Sequence, residues 1–202
     1  MNTDEPFFNL YNHGFVRVAV GIPTVRVGDP GYNARETIAL MTQATERKAL
    51  LVVFPELGLS AYSCEDLFQQ QALLDGCKEQ LASVLRASQG IPVIAIVGLP
   101  LVVEGLLFNC AAVLSGGHLL GVVPKTYLPN YREFYEMRQF VPADCARSQT
   151  IQLLNQQDVP FGNQLLFQLE GQPLCTVHVE ICEDLWGRSL SLRMRPWPEP
   201  PC

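Results

Sequence analysis

A thiol, a carboxylate and an ammonium group each follow closely on an apolar run of this chain. Cys182 comes directly after the β-prone segment 176–181, and Glu56 and Lys125 each stand one proline beyond such a run. A thiolate can attack a carboxamide, a carboxylate can move the protons, and an ammonium can stabilise the oxyanion that forms. Three such groups just past strand ends predict a thiol-based amide hydrolase.

None of the three residues is specific when taken alone. A glutamate after Phe-Pro usually caps a turn or lies on the surface, a lysine after proline is usually solvated, and a cysteine at a strand end is usually packed. The segments around them therefore decide how they are interpreted.

The elements that must position these groups are predicted from the apolar pattern. Short apolar runs indicate strands, and a spacing of three to four residues between apolar positions indicates helices. The predicted helices are 33–48 and 65–85. The predicted strands are 15–21, 49–54, 92–99, 106–114, 118–123, 162–169 and 174–181. Strands that alternate with helices and then form hairpins indicate a mixed α/β fold.

Composition limits the class of protein. The 202 residues suggest one domain, and the net charge of −6 without a Lys/Arg run argues against a nucleic-acid surface. No apolar stretch approaches the roughly 18 residues of a membrane span, and the acidic N-terminus does not resemble a signal peptide. We therefore expect no membrane partner and a cytoplasmic location. The seven cysteines include no Cys-x-x-Cys pair, and the three histidines lack ligand spacing, so no metal site is predicted.

Longer motifs carry a family resemblance. The segments that resemble the three catalytic segments of the nitrilase (carbon–nitrogen hydrolase) superfamily are 51–63, 121–136 and 178–186. The segments that are also similar to the N-terminal glutaminase domains of bacterial glutamine-dependent NAD⁺ synthetases are 11–18, 131–136 and 161–167. The resemblance extends from about residue 11 to residue 186.

The resemblance implies a role for each candidate catalytic residue. Glu56 would be the general base, Lys125 the cation on the oxyanion side, and Cys182 the nucleophile. The superfamily places a second glutamate beside the lysine; Glu133 fits this position best, and Glu136 is the alternative.

The resemblance also implies a substrate, a pocket and a partner. Glutamine would be the substrate, with Tyr62, Tyr131 and Glu183 lining its pocket. The glutaminase step would need no cofactor, whereas ATP and Mg²⁺ would belong to a synthetase domain that this chain lacks. That domain would consume the ammonia, and the full-length protein would be a homo-oligomer.

The implied fold is an incomplete α-β-β-α sandwich, with a partial hydrolase domain over 1–186 and an unrelated tail over 187–202. One hypothesis is that the tail is translated out of frame. Because an incomplete sandwich leaves apolar surface uncovered, the isolated chain is expected to be poorly soluble or partly molten. Two alternatives stay open: another amidase, such as a carbamoylase or an ω-amidase, and a non-catalytic remnant.

Overall fold

The computed structural model describes residues 9–169 and 175–187. Its α-helices are α1 (Pro30–Glu46), α2 (Gln71–Ala87) and the short α3 (Glu136–Gln139). Its strands are β1 (Val18–Val20), β2 (Leu51–Val53), β3 (Ile94–Val103), β4 (Leu106–Ser115), β5 (His118–Pro124), β6 (Thr150–Leu153), β7 (Gln156–Pro160), β8 (Leu166–Gln168) and β9 (Thr176–His178). Short 3₁₀ helices occupy Leu10–His13, Glu65–Gln69, Ala143–Cys145 and Cys182–Trp186.

A five-stranded mixed sheet forms the centre of the molecule, with the strand order β1-β2-β3-β4-β5. The first three strands are parallel, and β3, β4 and β5 pair antiparallel. Two antiparallel steps bring β5 back to the direction of β2 and β3. The C-terminal ends of β2 and β5 therefore lie at the same edge of the sheet.

Helices α1 and α2 cover one face of this sheet. Helix α1 begins at Pro30, where Asp29 caps the first turn by accepting a hydrogen bond from the Tyr32 backbone N–H. Met41 on α1 and Leu81 on α2 are fully buried in the core that the helices share with alternate residues of β3 and β4. Among the described helices, none combines the length and the apolar character that crossing a membrane requires.

The opposite face of the sheet is covered in part by β8 and β9, which pair antiparallel as a separate two-stranded sheet. The described chain thus contains a helical layer, a large sheet and the beginning of a second sheet. This order of layers confirms the α/β class and the incomplete α-β-β-α arrangement. The described residues contain no helical layer on the outer side of the second sheet.

Several element boundaries differ from the sequence prediction. Helix α2 begins at Gln71 because residues 65–69 form a separate 3₁₀ helix, and β3 continues through Pro100 to Val103. The hairpin β6–β7 had not been predicted, because its strands carry too many polar residues to give a clear apolar pattern. The proposed unrelated tail lies outside the described residues apart from Gly187.

Candidate active site

Two of the predicted catalytic groups meet at the edge where β2 and β5 end. Glu56 lies three residues beyond the end of β2, and Lys125 directly follows β5. The Lys125 backbone N–H donates to the carbonyl of Asn109 at 2.8 Å, which continues the pairing with β4 past the end of the strand. The mixed sheet thus brings Glu56 and Lys125, which are far apart in sequence, next to each other.

The Lys125 side chain lies between two carboxylates. Its Nζ is 2.6 Å from Glu56 Oε1 and 2.8 Å from Glu136 Oε1. The lysine side chain is fully buried, and the side chains of Glu56 and Glu136 are 18% and 4% exposed. A buried ammonium requires such partners, because an isolated buried charge is strongly destabilising.

Gly98 on β3 allows the loop that carries Glu56 to lie against the sheet. A Cβ atom at Gly98 would be 2.5 Å from both the Leu57 nitrogen and the Pro55 oxygen. The Gly98 carbonyl also accepts a hydrogen bond from the Leu59 N–H at 3.0 Å. The absence of a side chain at Gly98 therefore lets this loop pack directly on β3, which places Glu56 next to the strand ends.

The glutamate beside Lys125 is Glu136, which corrects the sequence preference for Glu133. The loop closes where the Glu136 N–H donates to the Pro129 carbonyl at 3.1 Å, and Glu136 begins α3 with its side chain buried. Glu133 lies on the outside of this loop and is exposed. The loop has no apolar period, so the sequence could not show which glutamate faces inward.

Cys182 begins the 3₁₀ helix after β9 in a left-handed backbone conformation, with φ at +50°. This conformation is uncommon for residues other than glycine and often marks functional turns. Cys182 is an exposed residue whose sulfur is only partly removed from solvent, and a cavity of about 120 Å³ lies between Cys182, Glu56 and Gly98. The nucleophile candidate therefore shares a cavity with the base candidate.

Asp184 connects the cysteine turn to the lysine turn. Its Oδ1 accepts hydrogen bonds from the backbone N–H groups of Thr126 at 3.0 Å and Tyr127 at 2.8 Å. Its Oδ2 accepts a hydrogen bond from the Ile181 N–H at 3.2 Å. One buried carboxylate thus holds the residues that follow Lys125 against the residue that precedes Cys182.

Burial and charge act in opposite directions on the pKa values of the lysine and its carboxylates. Burial alone would lower the pKa of Lys125, but Glu56 and Glu136 outweigh it and leave that pKa raised. Burial raises the pKa of Glu136 in spite of its hydrogen bonds from Lys125 and Tyr62. The lysine therefore stays charged at neutral pH, and burial makes the Glu136 carboxyl harder to ionise than an exposed one.

The surroundings of Cys182 raise the pKa of its thiol. Burial raises its pKa, the nearby Lys125 ammonium lowers it, and the carboxylates of Glu56 and Glu136 raise it further. The net direction is upward from 9.0. A base is therefore needed to remove the thiol proton during attack. The Glu56 carboxylate, which lines the same cavity, is suited to this role.

The predicted substrate-pocket residues divide into two groups. The Tyr131 hydroxyl donates to Glu183 Oε2 at 2.9 Å, so these two are together and face solvent. The Tyr62 hydroxyl instead donates to Glu136 Oε1 at 2.7 Å, which ties it to the lysine pair. Phe134 bridges the two groups by edge contacts with both tyrosine rings.

Two residues of the site were missed by the sequence analysis. Asn109 donates through Nδ2 to Glu56 Oε1 at 2.6 Å, and Asp184 joins the two turns. A signal existed for Asn109, because it is an amide in the middle of an otherwise apolar strand. For Asp184 the sequence shows only an acidic pair after Cys182 and gives no sign of its distant partners.

The described residues contain no group of three or more His, Cys, Asp or Glu side chains that could hold a metal ion. A larger groove of about 400 Å³ lies between α2 and β6, away from the predicted site residues. The candidate active site is the Glu56–Lys125–Glu136–Cys182 cluster at the strand ends, because Lys125 contacts both carboxylates and Glu56 shares a cavity with the thiol.

Comparison with known proteins shows the family of the chain. Residues 17–196 match the family model described as carbon-nitrogen hydrolase. Over 180 residues the chain is 43% identical to a glutamine-dependent NAD(+) synthetase of Mycobacterium tuberculosis, and this covers 89% of the chain and 26% of the relative. The chain thus spans about a quarter of the length of this curated relative.

Two solved structures are similar in fold. The glutamine-dependent NAD+ synthetase of Acinetobacter baumannii matches with a TM-score of 0.66 and 26% identity, over 87% of this chain and 29% of that one. The synthetase of Cytophaga hutchinsonii matches with a TM-score of 0.70 and 23% identity, over 77% of this chain and 26% of that one. The second likeness, at this identity, concerns the fold alone.

Proposed function

Because the chain belongs to the carbon–nitrogen hydrolase family, we propose that it is a glutaminase in which Cys182 attacks the side-chain amide of glutamine. The observation that carries the proposal is the Lys125 ammonium, which is buried between Glu56 and Glu136 at the strand edge where the Cys182 turn also lies. A buried cation held beside a neutral thiol is suited to stabilising an oxyanion.

The first half of the reaction forms a thioester. Glu56 takes the proton from Sγ as the sulfur attacks the amide carbon, and the amide oxygen becomes an oxyanion. Lys125 has three N–H donors, of which the two carboxylates occupy two, so the third can bind the oxyanion. The Glu183 backbone N–H, which interacts with Cys182, is the second donor. Glu56 then gives its proton to the leaving nitrogen, the C–N bond breaks, and ammonia departs.

The second half regenerates the thiol. Water attacks the thioester carbon while Glu56 takes a proton from it, and the same two donors stabilise the second oxyanion. Breakdown of this intermediate returns the proton to sulfur and releases glutamate. Glu136 does not exchange protons in this scheme; it holds Lys125 in place together with Tyr62.

Two features support glutamine as the substrate. The chain resembles enzymes whose names state that they depend on glutamine. The exposed Tyr131–Glu183 pair adds a carboxylate beside the nucleophile, suited to binding the α-ammonium group of an amino acid.

The ammonia is proposed to serve a synthetase domain, because the relatives are NAD(+) synthetases about four times the length of the matched region. ATP and Mg²⁺ would act in that domain and not in the glutaminase step. Homo-oligomer formation and a cytoplasmic location stay predictions.

The test is hydrolysis of glutamine by the purified chain. We expect ammonia and glutamate in equal amounts, γ-glutamyl hydroxamate when hydroxylamine is added, and neither product from Cys182→Ala. An N-carbamoyl amino acid or an ω-amide of a dicarboxylate, supplied instead, should release no ammonia. Turnover of one of these substrates in place of glutamine would identify another amidase, and no turnover of any would identify a non-catalytic remnant.

A further inference from the structure

Asn109 lies at the junction of the two charged catalytic candidates. It is 1% exposed and lies in β4, between the apolar residues Phe108 and Cys110. Its side chain shares a face of the sheet with Ala111 and Val113, which pack against the segment that leads to Cys182. A polar side chain at this position has to be explained by its contacts.

The contacts of Asn109 reach both Glu56 and Lys125. Its Nδ2 donates to Glu56 Oε1 at 2.6 Å, and its backbone carbonyl accepts the Lys125 N–H at 2.8 Å. The amide turns its nitrogen to Glu56, because its oxygen would repel the oxygens of the carboxylate. One residue therefore sets the position of the base relative to the cation.

The remaining amide oxygen argues against a purely stabilising role. Asn109 Oδ1 is buried and has no hydrogen-bond partner among the described residues. A buried acceptor without a partner destabilises a fold, and an aliphatic side chain of similar size would avoid this penalty. The benefit of the amide must lie in its donor, which points to Glu56.

Both donors on Glu56 contact the same oxygen. Lys125 Nζ and Asn109 Nδ2 are each 2.6 Å from Oε1. This arrangement fixes the position of Oε1 and leaves Oε2 as the oxygen that can exchange a proton.

We propose that Asn109 is a positioning residue of this site, whose amide fixes Glu56 through Oε1 so that Oε2 exchanges the proton of the Cys182 thiol. The proton moves from Sγ to Oε2 as the sulfur attacks, and from Oε2 to the leaving nitrogen as the C–N bond breaks. The inference rests on the proposed glutaminase function for its kinetic test, but it also has a test that needs no turnover.

The kinetic test compares N109L and N109D with V113A, a buried control on the same face of β4 that does not contact the charged cluster. N109L should lower kcat about 100-fold, as a small misplacement of a catalytic group does, while KM changes less than about threefold. V113A should keep kcat within about threefold even where the cavity it creates lowers the melting temperature. Equal kcat values for N109L and V113A would overturn the proposal.

The isosteric variant N109D separates donation from shape. At about pH 8 its new carboxylate cannot donate to Glu56, whereas at about pH 5 the protonated fraction is larger and can do so. The ratio of its kcat to that of the unchanged chain should therefore rise as the pH falls. A ratio that does not depend on pH would contradict the proposed role.

The test without turnover is the rate at which iodoacetamide alkylates Cys182, followed by peptide mass spectrometry. The alkylation rate should differ between N109L and the unchanged chain. It should not differ between the double variant N109L/E56Q and E56Q, because both substitutions act through the same carboxylate. Equal effects in both backgrounds, or no effect in either, would reject the proposal. If the unchanged chain does not hydrolyse glutamine, the proposed function fails, and this cycle still decides the role of Asn109.

Discussion

At the scale of single residues, the partial desolvation of the Cys182 sulfur and the two nearby carboxylates determine when its thiol reacts. Because burial raises its pKa above 9.0, little thiolate is present at neutral pH. We predict that the rate of alkylation of Cys182 in the absence of substrate increases with pH through 9.0 and beyond. The exposed Cys145, measured in the same digest, controls for the reagent. A rate that reaches its plateau below pH 7 would mean a preformed thiolate and no need for a base.

The two glutamates near the lysine give a second test at this scale. Glu136→Ala removes a buried carboxylate that accepts hydrogen bonds from Lys125 and Tyr62. Because the two donors lose this acceptor, the free energy of unfolding should fall by about 1–3 kcal/mol. Glu133→Ala alters an exposed side chain and should change it by less than about 0.5 kcal/mol. Urea unfolding of the two variants measures this difference, and the reverse order would restore Glu133 as the partner.

These residues show how far sequence reasoning reached. Glu56, Lys125 and Cys182 could be selected because each stands close to the end of an apolar run, and parallel strands bring their ends together. Glu136 could not be preferred to Glu133, because the loop before α3 follows no periodic pattern and is closed by a backbone hydrogen bond to Pro129. Side-chain contacts across the sheet, such as that of Asn109 with Glu56, leave only a lone polar residue as a trace in the sequence.

At the scale of elements, the Glu56 loop depends on the missing side chain of Gly98. We predict that Gly98→Ala lowers the free energy of unfolding by about 1–3 kcal/mol, because a methyl group would push the loop off β3. Gly162→Ala is the matched control, since a Cβ there meets nothing within 4 Å. Similar melting temperatures for the two variants would show that the loop is not held by this contact.

The link between the lysine and cysteine turns is the other test at this scale. Asp184→Ala removes the acceptor of three backbone N–H groups, so it should lower stability by about 1–3 kcal/mol and slow glutamine hydrolysis as well. Asp144→Ala is the control, because Asp144 lines the same side of the molecule but is exposed. Hydrolysis at the rate of the unchanged chain in Asp184→Ala would show that the two turns hold their positions without it.

At the scale of the whole molecule, β1 combines an edge that no other described strand pairs with and an exposed face. This strand pairs with β2 on one side, and among the described residues nothing pairs with its other side. Val18 and Val20 point to the face that β8 and β9 leave uncovered and are 58% and 75% exposed. Ala19 between them packs against the core on the helical side. An apolar strand with a free edge is a site for association between chains.

We predict that replacing both Val18 and Val20 by lysine raises the concentration at which the chain stays monomeric without lowering its melting temperature. The lysines would place charge on the exposed face and oppose edge pairing, and no buried contact would be lost. Ala19→Lys, one residue away but directed into the core, should instead destabilise the fold. Light scattering and thermal unfolding of the three proteins measure both effects. Unchanged association of the double variant would show that chains associate through another surface.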